Sequence, residues 1–542
     1  MVRTLRRACP SCGKPGFYIE GRRRTSCFYC GKPILQPPTR RQVLVDFRCP
    51  ACEVVSEVED TASIVRCPGC RRGFAWVHDE PVPRWCVRDV VSRDRAVRLA
   101  EKRGLGKIEE ATLFLAPYWL FRAVELGWVL GNEKLTDAGV RKRRGVDPAR
   151  DDPGRESVAP IGGKLEYTKK EAHRAVQEYL ADPSAEAFGW KPVAKHAEGA
   201  VLAPFDVAEI EPRARVLATA WDRAQALDEG ARRIQLRALV DEGQLYRFFE
   251  HRVLLRETLA IVYHPFWVLF FEPPDVPGRE SIPRDWMVVD AVAGEVTREP
   301  QAGGPALFRI PTTALPETPS RTERLGCPAC HDPLDAVEPA AGATVIACPG
   351  CSAAFEVSAR GLRPVESRFV EPVEGAAEET GEQVYVPVWR YRVRIKSERR
   401  ELKNRGHWKR FIRAVDPSPD PNDVARSIVF YSVAAGAART ARLDALSLAL
   451  TRLQPELRFV APRPPARVLP AAFGADDARR LGFATYLTLF RDLTLKSIDG
   501  LKRTELVTQE AELIYYPCVR NRGEVQDPRL GVSIQLGPAH DS

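Results

Sequence analysis

Four stretches interrupt a polar, charge-rich chain with apolar and aromatic residues that do not alternate. The first is Leu113 to Phe121, read LFLAPYWLF. The second, Leu259 to Phe271, contains Tyr263-His264-Pro265-Phe266-Trp267; the third is Tyr385-Val386-Pro387-Val388-Trp389 and the fourth Tyr515-Tyr516-Pro517-Cys518. Short apolar runs rich in aromatic and β-branched residues predict buried strands. Each holds a proline two places after an aromatic or apolar residue, and three hold a tryptophan two places after the proline. Proline removes a ladder donor, so the pattern places these segments at edges or bulges. Its recurrence points to one duplicated device.

The flanking patterns recur more loosely. Pro83-Arg84-Trp85-Cys86-Val87, Leu202-Ala203-Pro204-Phe205-Asp206-Val207 and Val468-Leu469-Pro470 form entries ahead of the strands. Helical patterns follow at 212–226 and 476–486. A weaker one uses Val87, Val90 and Val91, although Asp94 falls on the same face. Trp286 to Val296 reads as strand, glycine turn, strand. In the third copy, 390–410 reads as a solvated hairpin, and 423–453 as one or two alanine-rich helices. Polar, turn-rich segments at 143–165 and 311–322 read as linkers.

Cysteine spacing adds metal chemistry. Twelve of the fourteen cysteines form CxxC pairs: Cys9/Cys12 with Cys27/Cys30, Cys49/Cys52 with Cys67/Cys70, and Cys327/Cys330 with Cys348/Cys351. Two CxxC hairpins joined by a short strand pair bring four thiolates to one tetrahedral ion, which predicts three structural Zn2+ sites. Cys86 and Cys518 stand alone. This usage fits a reducing compartment better than a disulfide framework. With a metal motif so early no secretory leader is expected, and the run Leu259 to Phe271 reads as too short to span a membrane. A cytoplasmic protein without a membrane span is expected.

At 542 residues the chain needs several cores. The expected fold class is α+β multidomain, with three zinc ribbons plus about four repeated small α+β modules. The division places a basic zinc ribbon at 1–40, a second at 41–80 and a first module at 81–142. A linker and helix follow at 143–194, a second module at 195–310, a third ribbon at 321–365, a third module with helices at 366–455 and a fourth module at 456–542.

Charge singles out the first ribbon. Residues 1–48 carry eleven Lys/Arg against two acids, an excess of nine that equals the excess of the whole chain. Arg22, Arg23 and Arg24 lie between its knuckles, near Phe17, Tyr18, Phe28 and Tyr29. Such a surface can grip phosphates and stack bases. Equally, the rings can pack on the knuckles while the arginines stay solvated.

A CxxC ribbon, a Pro-aromatic entry, a helix and a Tyr-x-Pro-aromatic-Trp strand together resemble a widespread group of bacterial zinc-ribbon proteins. Their ribbons look like that of transcription factor IIB, and they are sometimes labelled after primosomal helicases. The resemblance covers Cys49 to Phe121 best, then Val201 to Val296, and less closely 321–393 and 466–520, where Cys518 and Val519 depart from the bulky-Trp ending. It implies a ribbon-plus-module architecture and no established activity.

Catalytic motifs are missing. Gly162-Gly163-Lys164 is followed by Leu165, and position 158 is valine, so no phosphate-binding loop is formed. HExxH, GxSxG and GxGxxG do not occur. His264 reads as a hydrogen-bonded core residue, and His331 adjoins a shell that four cysteines already fill. Trp119, Trp267 and Trp389 read as repeated core positions. The expectation is a non-enzymatic scaffold or adaptor with protein partners and no small-molecule substrate. The alternative is a nucleic-acid-binding protein using residues 1–48, with Arg22, Arg23 and Arg24 in contact and the basic run 141–144 as a further candidate.

Overall fold

The computed structural model describes, before residue 44, only the backbone of the strands Thr4–Ala8, Pro15–Ile19, Arg24–Ser26 and Pro33–Leu35. From 44 to 535 it describes all but 60–63, 78–81, 88–90, 103–106, 134–165, 189–200, 206–213, 236–244, 273–284, 302–320, 335–343, 359–360, 373–380, 398–399, 413–420, 436–444, 462–465, 490–499 and 522–523. The expected ligands Cys9, Cys12, Cys27 and Cys30, the side chains of Arg22, Arg23 and Arg24, the run 141–144, Gly162 to Lys164 and the linker 143–165 lie outside the described residues.

The fold is mixed α+β, dominated by strands with few helices. Two large sheets hold the four apolar stretches. In one, the Pro117 strand (Ile108–Glu133) pairs antiparallel with the Pro265 strand (Leu245–Phe271), with Leu115 opposite Pro265, Ala116 opposite His264 and Pro117 opposite Tyr263. In the other, the Pro387 strand (Glu382–Ser397) pairs antiparallel with the Pro517 strand (Glu505–Asn521), with Tyr385 opposite Pro517, Val386 opposite Tyr516 and Pro387 opposite Tyr515. Each pair is thus centred on the residue before its prolines. Within each pair the two strands are related by a local twofold.

The outer side of each strand is served by two successive neighbours. A short parallel strand pairs up to the residue two before the proline: Val216 with Leu115, Cys86 with Tyr263, Val468 with Tyr385 and Phe369 with Tyr515. An antiparallel strand then takes over just past the proline, at Tyr118, Phe266, Val388 and Val519. The carbonyls of Pro265 and Pro387 accept from Ala291 N and Ala434 N, so these residues face outward, away from the twofold partner. Because N and C=O of one antiparallel residue point the same way, the missing N–H falls where one neighbour has ended and the next has not begun. The prolines therefore sit in strands paired on both sides, not at sheet edges as the sequence suggested. The junction tolerates them because no ladder donor is needed there.

Both faces of these strands are covered, which explains why apolar residues do not alternate with polar ones. On the first sheet, Phe114, Tyr118, Phe266 and Val268 face one side with Trp286 and Val288. Trp119, Phe121, Ile261 and Tyr263 face the other, under Ala226 and Ile234 of the helix Arg223–Gln235. Ala96 and Ala100 of the helix Arg93–Glu101 cover Leu113, Trp267 and Leu269. On the second sheet the helix Ala475–Leu489 packs on Tyr391 and Trp389, and the helix Ala445–Leu453 lies on Val386, Val388 and Tyr516. Leu126, Trp128, Val253 and Leu255, from the far ends of the first pair, enter the second sheet's core.

Several local expectations shift. The helix predicted at 212–226 begins at Arg223, because Asp222 and Gln225 cap it reciprocally: Gln225 N donates to Asp222 Oδ1 at 2.8 Å and Asp222 N to Gln225 Oε1 at 2.9 Å. The segment ahead of it forms the strand Arg215–Val216. The helix near Val87 starts later, at Arg93, with Ser92 as its cap. Between 423 and 453, the strand Ile428–Val433 precedes the helix, since β-branched and aromatic residues there pair with the Pro387 strand. Residues 390–410 do form a hairpin with Arg400–Leu402, but Tyr391, Val393 and Ile395 are buried and the helix Arg405–Phe411 follows. The end of the linker 311–322 joins the strand Arg321–Arg324.

Candidate metal centres

Both described CxxC quartets are assembled by tight knuckles. At Cys49, the amide bonds to Val54 O and the carbonyl accepts from Glu53 N; Cys67 does the same with Arg72 and Arg71. Cys327 repeats this with Asp332 and His331, and Cys348 with Ala353 and Ser352. Each turn closes through a residue in the left-handed region: Glu53 (φ 60°), Arg71 (φ 60°), His331 (φ 63°) and Ser352 (φ 66°). His331 therefore serves the third quartet through its backbone. Four non-glycine residues in this strained region mark the knuckles as over-determined by their surroundings.

The turns aim the sulfurs inward. In one group Cys49 Sγ lies 3.7 Å from Cys70 Sγ and Cys52 Sγ lies 3.5 Å from Cys67 Sγ. In the other, Cys327 to Cys351 is 3.5 Å and Cys330 to Cys348 is 3.6 Å. All four sulfurs of each group lie within 4.8 Å of one another, so each group could hold a metal ion. Burial pushes the Cys67 and Cys327 thiols up. Backbone N–H groups of Cys70 and Gly69, and of Cys330 and Ala329, together with neighbouring thiols, outweigh it and bring both down to about 7.

Glycine eases the close approach of the two knuckles. A Cβ on Gly69 would stand 3.0 Å from Val54 Cγ2 and 3.3 Å from Cys52 Sγ, and one on Gly350 would stand 2.3 Å from Asp332 Oδ2. No family model matches the chain, and no curated protein or solved structure matches it either.

Other polar groups singled out by sequence lie inside the sheets. His264 Nε2 meets Asp290 Oδ1 at 2.9 Å in full burial. Burial raises the Asp290 carboxyl, but His264 and the amides of Ala293 and Val292 hold it below its ordinary range. Trp119, Trp267 and Trp389 are buried with their indole N–H bonded, to Asp182 Oδ2, Val91 O and Phe473 O respectively. Asp182 was not anticipated. It accepts from Ser184 N, Ser184 Oγ and Ala220 N on Oδ1, and from Trp119 Nε1 and Trp221 N on Oδ2. Its position after the strand Glu166–Ala181, followed by Pro-Ser, is the signal that could have found it. Among the described residues no helix is long and apolar enough to cross a membrane.

Proposed function

We propose that the chain is a non-enzymatic scaffold, stapled by structural zinc, that presents its surfaces to protein partners. The observation that carries this reading is the closed donor set of each described quartet. Four thiolates complete a tetrahedral shell and leave no position for a reactive water. A zinc–sulfur bond of about 2.3 Å sets tetrahedral sulfurs about 3.8 Å apart, close to the separations of 3.5 to 3.7 Å. Zinc bound this way contributes directly to folding, at roughly 10 to 16 kcal/mol per site.

The proposed architecture is three zinc ribbons, with Cys9, Cys12, Cys27 and Cys30 forming the third centre, and four copies of one module joined as two pairs. The matching registers around Ala116/His264 and Val386/Tyr516 support the duplication. The resemblance to ribbon proteins like transcription factor IIB belongs to the same proposal, as does a reducing, cytoplasmic setting. The second reading, nucleic-acid binding through Arg22, Arg23 and Arg24, rests on the excess of nine positive charges within residues 1–48.

One experiment separates them. The native protein is purified with and without nuclease, as wild type and as the Arg22/Arg23/Arg24 triple alanine variant, with zinc analysis. Three zinc ions per chain and partners retained by both forms after nuclease are expected. Loss of partners on nuclease treatment, or binding that falls steeply with salt and vanishes in the variant, overturns the scaffold reading in favour of nucleic acid.

A further inference from the structure

Cys70 and Cys327 are 257 positions apart, yet their centres share a sheet. The strand Ile64–Arg66 runs into Cys67, and the strand Gly73–Val77 leaves just after Cys70. Onto the latter pairs the strand Arg321–Arg324, with Arg324 opposite Phe74 and Arg321 opposite Val77; Leu325 N then donates to Gly73 O at 2.9 Å, two residues before Cys327. Side chains alternate across this three-stranded sheet. Val65 and Phe74 point to one face and pack with the ligands Cys49 and Cys67. Ile64 and Ala75 point to the other and pack with Leu325, Ile346 and the ligands Cys327 and Cys348.

We infer that the two centres form one bimetallic folding unit, built back to back on this sheet, in which metal at either centre supports the other. The sheet is too small to stand alone, since three strands of three to five residues need a covered hydrophobic face. Its geometry is set on one side by the Cys67–Cys70 knuckle and on the other by the chain entering Cys327. Losing either centre exposes one face and removes the support of the other, and the coupling is reciprocal. The unit also ties the two large sheets together. Leu44–Arg48 extends the first sheet, while Val345 and Thr344 bond to Ala471 ahead of the Ala475–Leu489 helix.

The inference rests on the reading that both centres hold zinc, and the test separates the two. Full-length wild type, Cys67→Ser, Cys348→Ser and Leu325→Asp are challenged with a chelator and N-ethylmaleimide. Alkylation of each cysteine is followed by peptide mass spectrometry, alongside zinc content. In Cys67→Ser, alkylation of Cys327, Cys330, Cys348 and Cys351 should accelerate at least tenfold. In Cys348→Ser the same should hold for Cys49, Cys52, Cys67 and Cys70. Each variant should lose two zinc ions. Leu325→Asp, which keeps every ligand, should accelerate both quartets. Cys518, buried in the second sheet, should stay protected. Wild-type zinc at both centres with independent release overturns the coupling alone; wild type lacking zinc at both overturns it together with the zinc reading. Cys518 reacting in step with the quartets overturns the idea of a distinct unit.

Discussion

Asp182 offers the sharpest test of how the first sheet is held together. The carboxylate is fully buried and receives five hydrogen bonds, from Ser184, Ala220, Trp119 and Trp221. Ala220 and Trp221 lead into the Arg223–Gln235 helix, so one side chain joins a Pro-strand tryptophan to the helix that covers it. Asparagine at 182 keeps the volume but supplies only one acceptor oxygen. Its amide must then face at least the two donors on Oδ2, leaving two buried N–H groups unpaired at about 1 to 3 kcal/mol each, or about 2 to 6 kcal/mol in all. Ser184→Ala removes one donor of five and should cost about 1 kcal/mol. Urea unfolding followed by tryptophan fluorescence compares the three proteins. If Asp182→Asn unfolds at the wild-type midpoint, the donors have other acceptors and the anchoring argument fails.

Three further outcomes are expected. Where the first sheet meets the Ala475–Leu489 helix, burial raises Asp477, which accepts from Arg256 N, to about 6, and Arg480 and Arg256 only partly oppose it. Burial also lowers His251, packed 4.7 Å from the Phe483 ring, to about 4. The raised Asp477 makes the contact lose stability as pH rises through about 6, whereas the lowered His251 makes it lose stability as pH falls from the ordinary histidine value toward 4. The two oppose each other, so calorimetry should find Asp477→Asn newly acid-labile and His251→Phe newly acid-stabilised; unchanged pH profiles in both would sink the assignment. In the proposed zinc centre Gly69→Ala should speed zinc release several-fold, because a metal-bound Cys52 Sγ has little freedom to yield to the added methyl; release at the wild-type rate counts against the packing. Pro387→Ala adds a buried N–H with no ladder acceptor and frees the unfolded chain, for a loss of about 1 to 4 kcal/mol by thermal unfolding; an unchanged melting temperature would count against the junction geometry.

Much of this was legible in the chain. CxxC spacing marked both described quartets, because a knuckle is local and its ligands are adjacent in sequence. The apolar runs at Leu113 to Phe121 and Leu259 to Phe271 announced buried strands. What could not be read was which element lies beside which. No local signal tells that Arg321–Arg324 pairs with Gly73–Val77, since antiparallel pairing across such a distance depends on tertiary packing alone. The prolines misled for a related reason. An edge is the ordinary place for a missing donor, but a strand flanked by two successive neighbours offers an equivalent gap in its interior. The Asp222/Gln225 capping box is a local helix-start signal, and it lies well inside the helical pattern expected over 212–226.

The departure of the fourth stretch from the tryptophan pattern follows from the same arrangement. Trp267 donates to Val91 O, two residues before the Arg93–Glu101 helix, and Trp389 to Phe473 O, two residues before the Ala475–Leu489 helix. Trp119 reaches Ala220 and Trp221, just ahead of Arg223, through Asp182. In each case the tryptophan fixes the start of a helix that belongs to its twofold partner in the proposed pairing. The fourth stretch has Val519 at this position. Its partner runs from the strand Ser367–Val370 to the strand beginning at Glu382, and the described residues between them hold no helix. The described residues of that partner offer no helix start to a tryptophan at this position, and a buried indole N–H without an acceptor is costly. Valine, buried and opposite Gln526, fills the strand position without that donor. Among the described residues, the tryptophan thus occurs in the three copies whose partner supplies a helix start, in keeping with the proposed duplication.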